Sequence, residues 1–153
     1  MDLEIQEMPE TRLATVHHVG PYHDIAGAFQ QLGALAGAAG LFGAPGALML
    51  GVYYDNPQST PPEQLQSDAA VTVGDSVALP DGLAEKRLPA GRYATTMHVG
   101  SYAGLPGTWG AFMEAVAQAG HSLRVAPNLE AYLNTPGETP EDQLQTRLYI
   151  AIE

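Results

Sequence analysis

The sequence predicts an α+β fold: two pseudo-two-fold related strand-helix-strand-strand repeats forming an antiparallel sheet with two helices on one face. Three observations carry this prediction. The first is a repeat, since His18-Val19-Gly20-Pro21-Tyr22 returns eighty positions later as His98-Val99-Gly100-Ser101-Tyr102. Around it, Pro9 falls on Pro89, Arg12 on Arg92, Ala14 on Ala94, Thr15 on Thr95 and Phe29 on Trp109. The second is that the match continues past a one-residue slip: Tyr53 meets Tyr132, Pro57 meets Pro136, Thr60-Pro61 meets Thr139-Pro140 and Leu65 meets Leu144. The third is patterning that passes from strand alternation to helical spacing and back within each copy. Such a period is too long for a solenoid, and one unit cannot cover its own sheet, so two copies are expected to share a core. The chain is therefore read as a single domain over 1–153, with repeat one at 1–74, a linker at 75–82 and repeat two at 83–153.

In order, residues 3–19 are extended, with Pro9 interrupting and Arg12 to Val19 alternating between faces. Gly20-Pro21 then turns the chain into a helix whose first turn holds Tyr22 and Asp24. Its expected stripe is Phe29, Leu32, Gly33, Ala36 and Gly40; each glycine costs about 1 kcal/mol relative to alanine, so packing has to hold it. A strand follows at 48–54, then a polar excursion in which Thr60-Pro61-Pro62-Glu63 reads as a capping box with Leu65 tucked inward. Residues 68–73 close the copy, and Gly74 to Gly82 link it to the next. The second copy repeats the order, with Trp109, Phe112, Met113 and Val116 at helical spacing and strands at 129–133 and 147–152.

Composition removes several function classes. There is no cysteine, so disulfide frameworks, thiolate metal sites and thiol nucleophiles are excluded together. Six Lys and Arg against seventeen Asp and Glu leave a net charge of −11, which repels a phosphate backbone and predicts no direct nucleic-acid binding. No secretory signal opens the chain, and cytoplasmic residence is expected. Residues 25–54 carry no charged side chain and are long enough to cross a bilayer by length alone, yet Pro45 and the many glycines and alanines argue against insertion. No membrane contact is expected. His17 and His18 are adjacent and point to opposite strand faces, so no metal site is expected; no glycine-rich phosphate loop lies between a strand and a helix, and no cofactor is implied.

The candidate chemistry lies where the copies differ. Gly51-Val52-Tyr53 aligns with Glu130-Ala131-Tyr132, which puts a carboxylate where the first copy has no side chain. In the last strands Asp68 meets Arg147 and Ala70 meets Tyr149, while Ala69/Leu148, Val71/Ile150 and Val73/Ile152 stay apolar and read as core. Glu130 is then a solvated strand residue, a partner of Arg147, or the acidic centre of an aromatic pocket. The pocket reading gathers Tyr22, Tyr53, Tyr102, Trp109, Glu130, Tyr132 and Tyr149 in a cleft where the repeats meet. Aromatic faces and a desolvated carboxylate both favour positive charge.

These residues resemble a known family. The pairing of Arg12-x5-His18-x-Gly20-x-Tyr22 before a helix with Leu129-Glu130-Ala131-Tyr132-Leu133-Asn134-Thr135-Pro136 and Thr139-Pro140-Glu141-Asp142 is similar to the GyrI-like small-molecule-binding domain. That domain also serves as the effector-binding part of AraC-type and MerR-type multidrug regulators and as stand-alone DNA gyrase inhibitors. The resemblance implies uptake of lipophilic, often cationic, compounds with Glu130 as the key acid, for sequestration or effector sensing. It also implies two alternatives: a hydrolase of cyclopropane-bearing or related electrophilic toxins using Glu130 and Tyr132, and a protein-interaction module whose partner is DNA gyrase or a regulator. Arg147 after Thr146 departs from the family, where an acidic residue is common, and is expected to weaken cation selectivity if it neutralises Glu130. No stretch reads as a helix-turn-helix, so a role in transcription would need a partner.

Overall fold

The computed structural model describes residues 1–153 as an α+β chain of eight strands and two α-helices, with every strand pair described running antiparallel. It divides into two compact units, Glu10–Pro89 and Met1–Pro9 with Ala90–Glu153.

In the Glu10–Pro89 unit, β2 (Thr11–Val19), β3 (Met49–Tyr53), β4 (Gln66–Thr72) and β5 (Ala84–Leu88) lie in the order β3-β4-β2-β5. Helix α1 (Ala26–Ala38) packs on one face, burying Ala28, Leu32 and Ala36 against Ala14, Val16, Ala69 and Val71. In the other unit, β1 (Glu4–Met8), β6 (Gly91–Val99), β7 (Asn128–Tyr132) and β8 (Gln145–Ile152) lie in the order β1-β6-β8-β7. Helix α2 (Leu105–Gln118) buries Leu105, Phe112 and Val116 against Ala94, Leu148, Ile150 and Ile152.

The registers repeat with the sequence. His18 faces Ser67 and His98 faces Thr146; Gly51 faces Ala69 and Glu130 faces Leu148. Each long strand ends on a glycine at positive φ, Gly20 at 131° and Gly100 at 125°, a region side chains rarely tolerate. There the Gly20 and Gly100 amides donate to the carbonyls of Leu65 and Leu144 at 2.7 and 2.8 Å. Both leucines are buried, as their inward tuck requires.

Several local expectations are corrected. Tyr22–Asp24 and Tyr102–Gly104 form separate 3-10 turns ahead of the helices rather than their first turns. In α1 the buried stripe is shifted: Gly33 is exposed, and Gly40 lies beyond the helix at φ 73°. Met113 of α2 is 39% exposed rather than part of the core. The Thr60 and Thr139 segments form one 3-10 turn each, but no capping box, because Pro61 and Pro140 hold the N-cap places and no side chain caps either turn. Finally, the extended start of each copy is two strands. Pro9 and Pro89 lack an amide for continued pairing, so β1 joins β6 and β5 joins β2, each beside the long strand of the opposite sequence copy.

No helix is long and apolar enough to cross a membrane. No group of three or more His, Asp or Glu side chains is arranged to hold a metal ion.

Candidate functional site

Glu130 sits on β7 opposite Leu148, which turns its side chain toward α2. The residue is 6% exposed. A carboxylate so buried needs donors, and two aromatic side chains supply them. Trp109 Nε1 of α2 donates to Oε2 at 2.7 Å, and the Tyr132 hydroxyl, two residues along the same strand face, donates to Oε1 at 2.7 Å. Charge-assisted bonds of this length are among the stronger ones in proteins. Tyr102, from the turn before α2, stacks at a tilt on Tyr132 with centroids 5.7 Å apart, and Phe112 lies 5.9 Å from Trp109. Burial, and then the negative charge of Glu130, raise the Tyr102 hydroxyl above its ordinary pKa.

The matched place in the Glu10–Pro89 unit has the rings without the acid. Tyr22 and Tyr53 meet edge to face at 4.8 Å, Phe29 stands where Trp109 does, and Gly51 stands where Glu130 does. Tyr22 is tied to the backbone: its hydroxyl lies 3.0 Å from the Asp55 carbonyl and 3.2 Å from that of Gln66, and it accepts from the Asp55 amide. Burial also raises its pKa, with the Asp55 backbone bond working against the shift.

Four of the seven sequence-predicted residues therefore come together around the acid: Glu130, Trp109, Tyr132 and Tyr102. Tyr22 and Tyr53 meet each other within the Glu10–Pro89 unit. Tyr149 does not join Glu130. It alternates with Leu148 and Ile150, so it occupies the strand face turned away from α2, where it meets Tyr93 at 6.0 Å. Arg147 is on that face as well and does not neutralise Glu130: its Nη1 donates to Thr95 Oγ1 at 3.2 Å and lies 3.7 Å from Glu4 Oε2. Glu130 and Arg147 have opposite parity across the β7–β8 ladder, so the diverged positions do not share one face.

The repeated histidines close turns. His18 Nε2 donates to the Pro21 carbonyl at 3.0 Å and His98 Nε2 to that of Ser101 at 2.9 Å. A cluster missed by sequence reading lies on the other face of the Glu10–Pro89 unit. There Asp68, buried, accepts from His17 Nδ1 at 2.7 Å and from the Tyr54 hydroxyl. The clue was available, since His17 and Asp68 sit on faces fixed by alternation, but their pairing depends on the β2–β4 register.

With this geometry in view, the profile of the GyrI-like small-molecule-binding domain matches residues 1–153. The chain belongs to that family. A protein named DNA gyrase inhibitor from Salmonella typhimurium is 28% identical over 158 aligned positions, covering 100% of this chain and 99% of that protein. Among solved structures, EcmrR in a complex with DNA shares the fold at TM-score 0.83 and 18% identity, over 99% of this chain. This chain spans 57% of the EcmrR chain's length. SAV2435 bound to tetraphenylphosphonium shares it at TM-score 0.75 and 18% identity, over 100% of this chain and 94% of that one.

Proposed function

We propose that this domain takes up lipophilic cationic aromatic compounds against Glu130, in the cytoplasm, either to sequester them or to sense them as effectors. The supporting observation is the buried Glu130 carboxylate, held by the Trp109 indole and the Tyr132 hydroxyl beside the ring of Tyr102. Both oxygens already accept hydrogen bonds, an arrangement that suits a fixed negative charge. Partial desolvation strengthens its attraction for a cation, and each aromatic face adds roughly 0.5–2 kcal/mol. A lipophilic cation gives up little hydration on entering such a place, whereas a small hydrated ion gives up much. The tetraphenylphosphonium bound by SAV2435 is a ligand of this chemical class.

Thermal melting tests the proposal. Tetraphenylphosphonium at a hundred times its dissociation constant stabilises by about 2.7 kcal/mol, raising Tm by about 5–10 °C in a domain of this size. Glu130→Gln removes the response to the cation and keeps that to neutral aromatics. Equal shifts in both proteins would remove Glu130 from the account.

A second reading is favoured by the full-length similarity to proteins named DNA gyrase inhibitor. In it the domain engages a protein partner, DNA gyrase or a regulator. Inhibition of gyrase supercoiling by the purified chain, together with no melting response to any compound, would replace the small-molecule reading with this one.

A further inference from the structure

The two copies carry opposite charges at one matched position, and the two are held to different degrees. Asp68 and Arg147 both stand on the strand face turned away from the helix, opposite His17 and Met97 in their ladders. Asp68 has His17 and Tyr54 as donors. At the places matching those donors, the other unit has Met97 and Leu133, which offer Arg147 nothing. Arg147 keeps one hydrogen bond, to Thr95 Oγ1 at 3.2 Å, and a loose approach by Glu4 at 3.7 Å from a side chain that is 76% exposed. A guanidinium presents five N–H donors in a fixed fork, so most of its capacity is left over.

That capacity opens on a cavity. About 390 Å³ in volume, it is lined by Met1, Asp2, Glu4, Thr95, Met97 and Arg147, among others. The volume falls within the roughly 300–1,000 Å³ typical of small-ligand sites. Its charges select the ligand. A plain anion would meet Arg147 and the Met1 ammonium but also two carboxylates, Asp2 and Glu4; a plain cation would meet the carboxylates but also both positive groups. A ligand carrying both charges close together complements both, and being neutral overall it is not repelled by the net charge of −11. Met1 and Met97 supply flexible, polarisable apolar walls.

We infer that this cavity binds a small zwitterion of the α-amino-acid class. Its carboxylate lies on the Arg147 fork, which Thr95 holds in place. The ammonium lies against Glu4 and Asp2, and an apolar side chain against Met97 and Met1. The inference is independent of Glu130, which faces the other side of the strands.

The test is titration of the full chain with norleucine, acetate and methylammonium, followed by calorimetry and by the methyl resonance of Met97. Norleucine binds saturably and shifts Met97; acetate and methylammonium bind at least about ten-fold more weakly, since each forfeits one charged contact. Arg147→Gln loses norleucine binding, Arg147→Lys retains part of it because a point charge replaces the fork, and Glu4→Gln weakens it. Glu130→Gln leaves it unchanged, which separates this site from the proposed cation site. Amide spectra matching the parent's show that each variant is folded. Acetate binding as tightly as norleucine, or more tightly after Glu4→Gln, would show a plain anion site and overturn the inference. So would undiminished norleucine binding in folded Arg147→Gln, or no saturable binding at all.

Discussion

The two units share a scaffold and differ in where they keep charge. In Met1–Pro9 with Ala90–Glu153, a carboxylate faces the helix and a guanidinium faces away; in Glu10–Pro89, glycine faces the helix side and a carboxylate faces away. Around Glu130 the donors are an indole and a phenol, whereas around Asp68 they are an imidazole and a phenol. The difference teaches that duplication kept the positions needed for turns and core and released the others. Gly20 and Gly100 keep their positive φ, and the repeated histidines keep their carbonyl partners. The strand positions beside them took up different charges, and those charges are the candidate sites.

The comparison breaks first at the cores if the scaffold is not shared. Phe112 and Leu32 occupy matched places and are both fully buried. Phe112→Ala should cost about 3–5 kcal/mol and Leu32→Ala about 2–5 kcal/mol, read from urea unfolding. A cost below about 1 kcal/mol at either place would mean that its helix does not anchor its strands.

The charges come next. Asp68→Asn disturbs two bonds to a buried carboxylate and should cost about 1.5–3 kcal/mol, while Arg147→Gln removes one hydrogen bond and an exposed ion pair and should cost less than about 1 kcal/mol. Equal costs would contradict the view that Asp68 is satisfied and Arg147 is held in reserve. A double-mutant cycle of Trp109→Phe, which restores the ring found at Phe29, with Glu130→Gln should show coupling of about 1–3 kcal/mol. Coupling near zero would remove the indole as a support for the acid.

Alkaline pH sharpens the same contrast by a smaller amount. Burial, and then donation to Asp68 and its negative charge, push the Tyr54 hydroxyl well above its ordinary value of 10.0. A folded pKa above the unfolded one contributes stability that is complete below the unfolded value and is lost as pH rises toward the folded one. Unfolding midpoints should therefore fall above about pH 10, and Tyr54→Phe should flatten that fall more than Tyr102→Phe does. The opposite ranking would place the more strongly held phenol beside Glu130.

Most of the scaffold was legible from residues alone. The repeat, both helices and the inward faces of the last strands followed from glycine placement and apolar spacing, which are local signals. What was not legible depended on pairing between distant segments. Nothing within Glu4–Met8 says that it lies beside Thr95 and Ala94, and that pairing separates the compact units from the sequence copies. The site divides the same way. Alternation and the repeat place Glu130, Tyr132 and Trp109 near one another, and they do meet, while Tyr149 and Arg147 lie on the opposite strand face because cross-strand parity is a tertiary fact. Thr60 misled for a local reason, since Pro61 holds the cap position that its side chain was expected to serve.

The central claim is that the charge of Glu130, absent at Gly51, makes the α2 side of β7 a cation site. Tetraphenylphosphonium and tetraphenylborate share a shape and differ in sign, so their affinity ratio isolates charge from ring burial. It is best measured by calorimetry at moderate salt, where exposed carboxylates are screened. The account predicts that the chain prefers the phosphonium by at least about ten-fold, or about 1.4 kcal/mol, and that Glu130→Gln removes most of that preference while the borate binds the variant at least as well as the parent. An unchanged ratio in Glu130→Gln would contradict it.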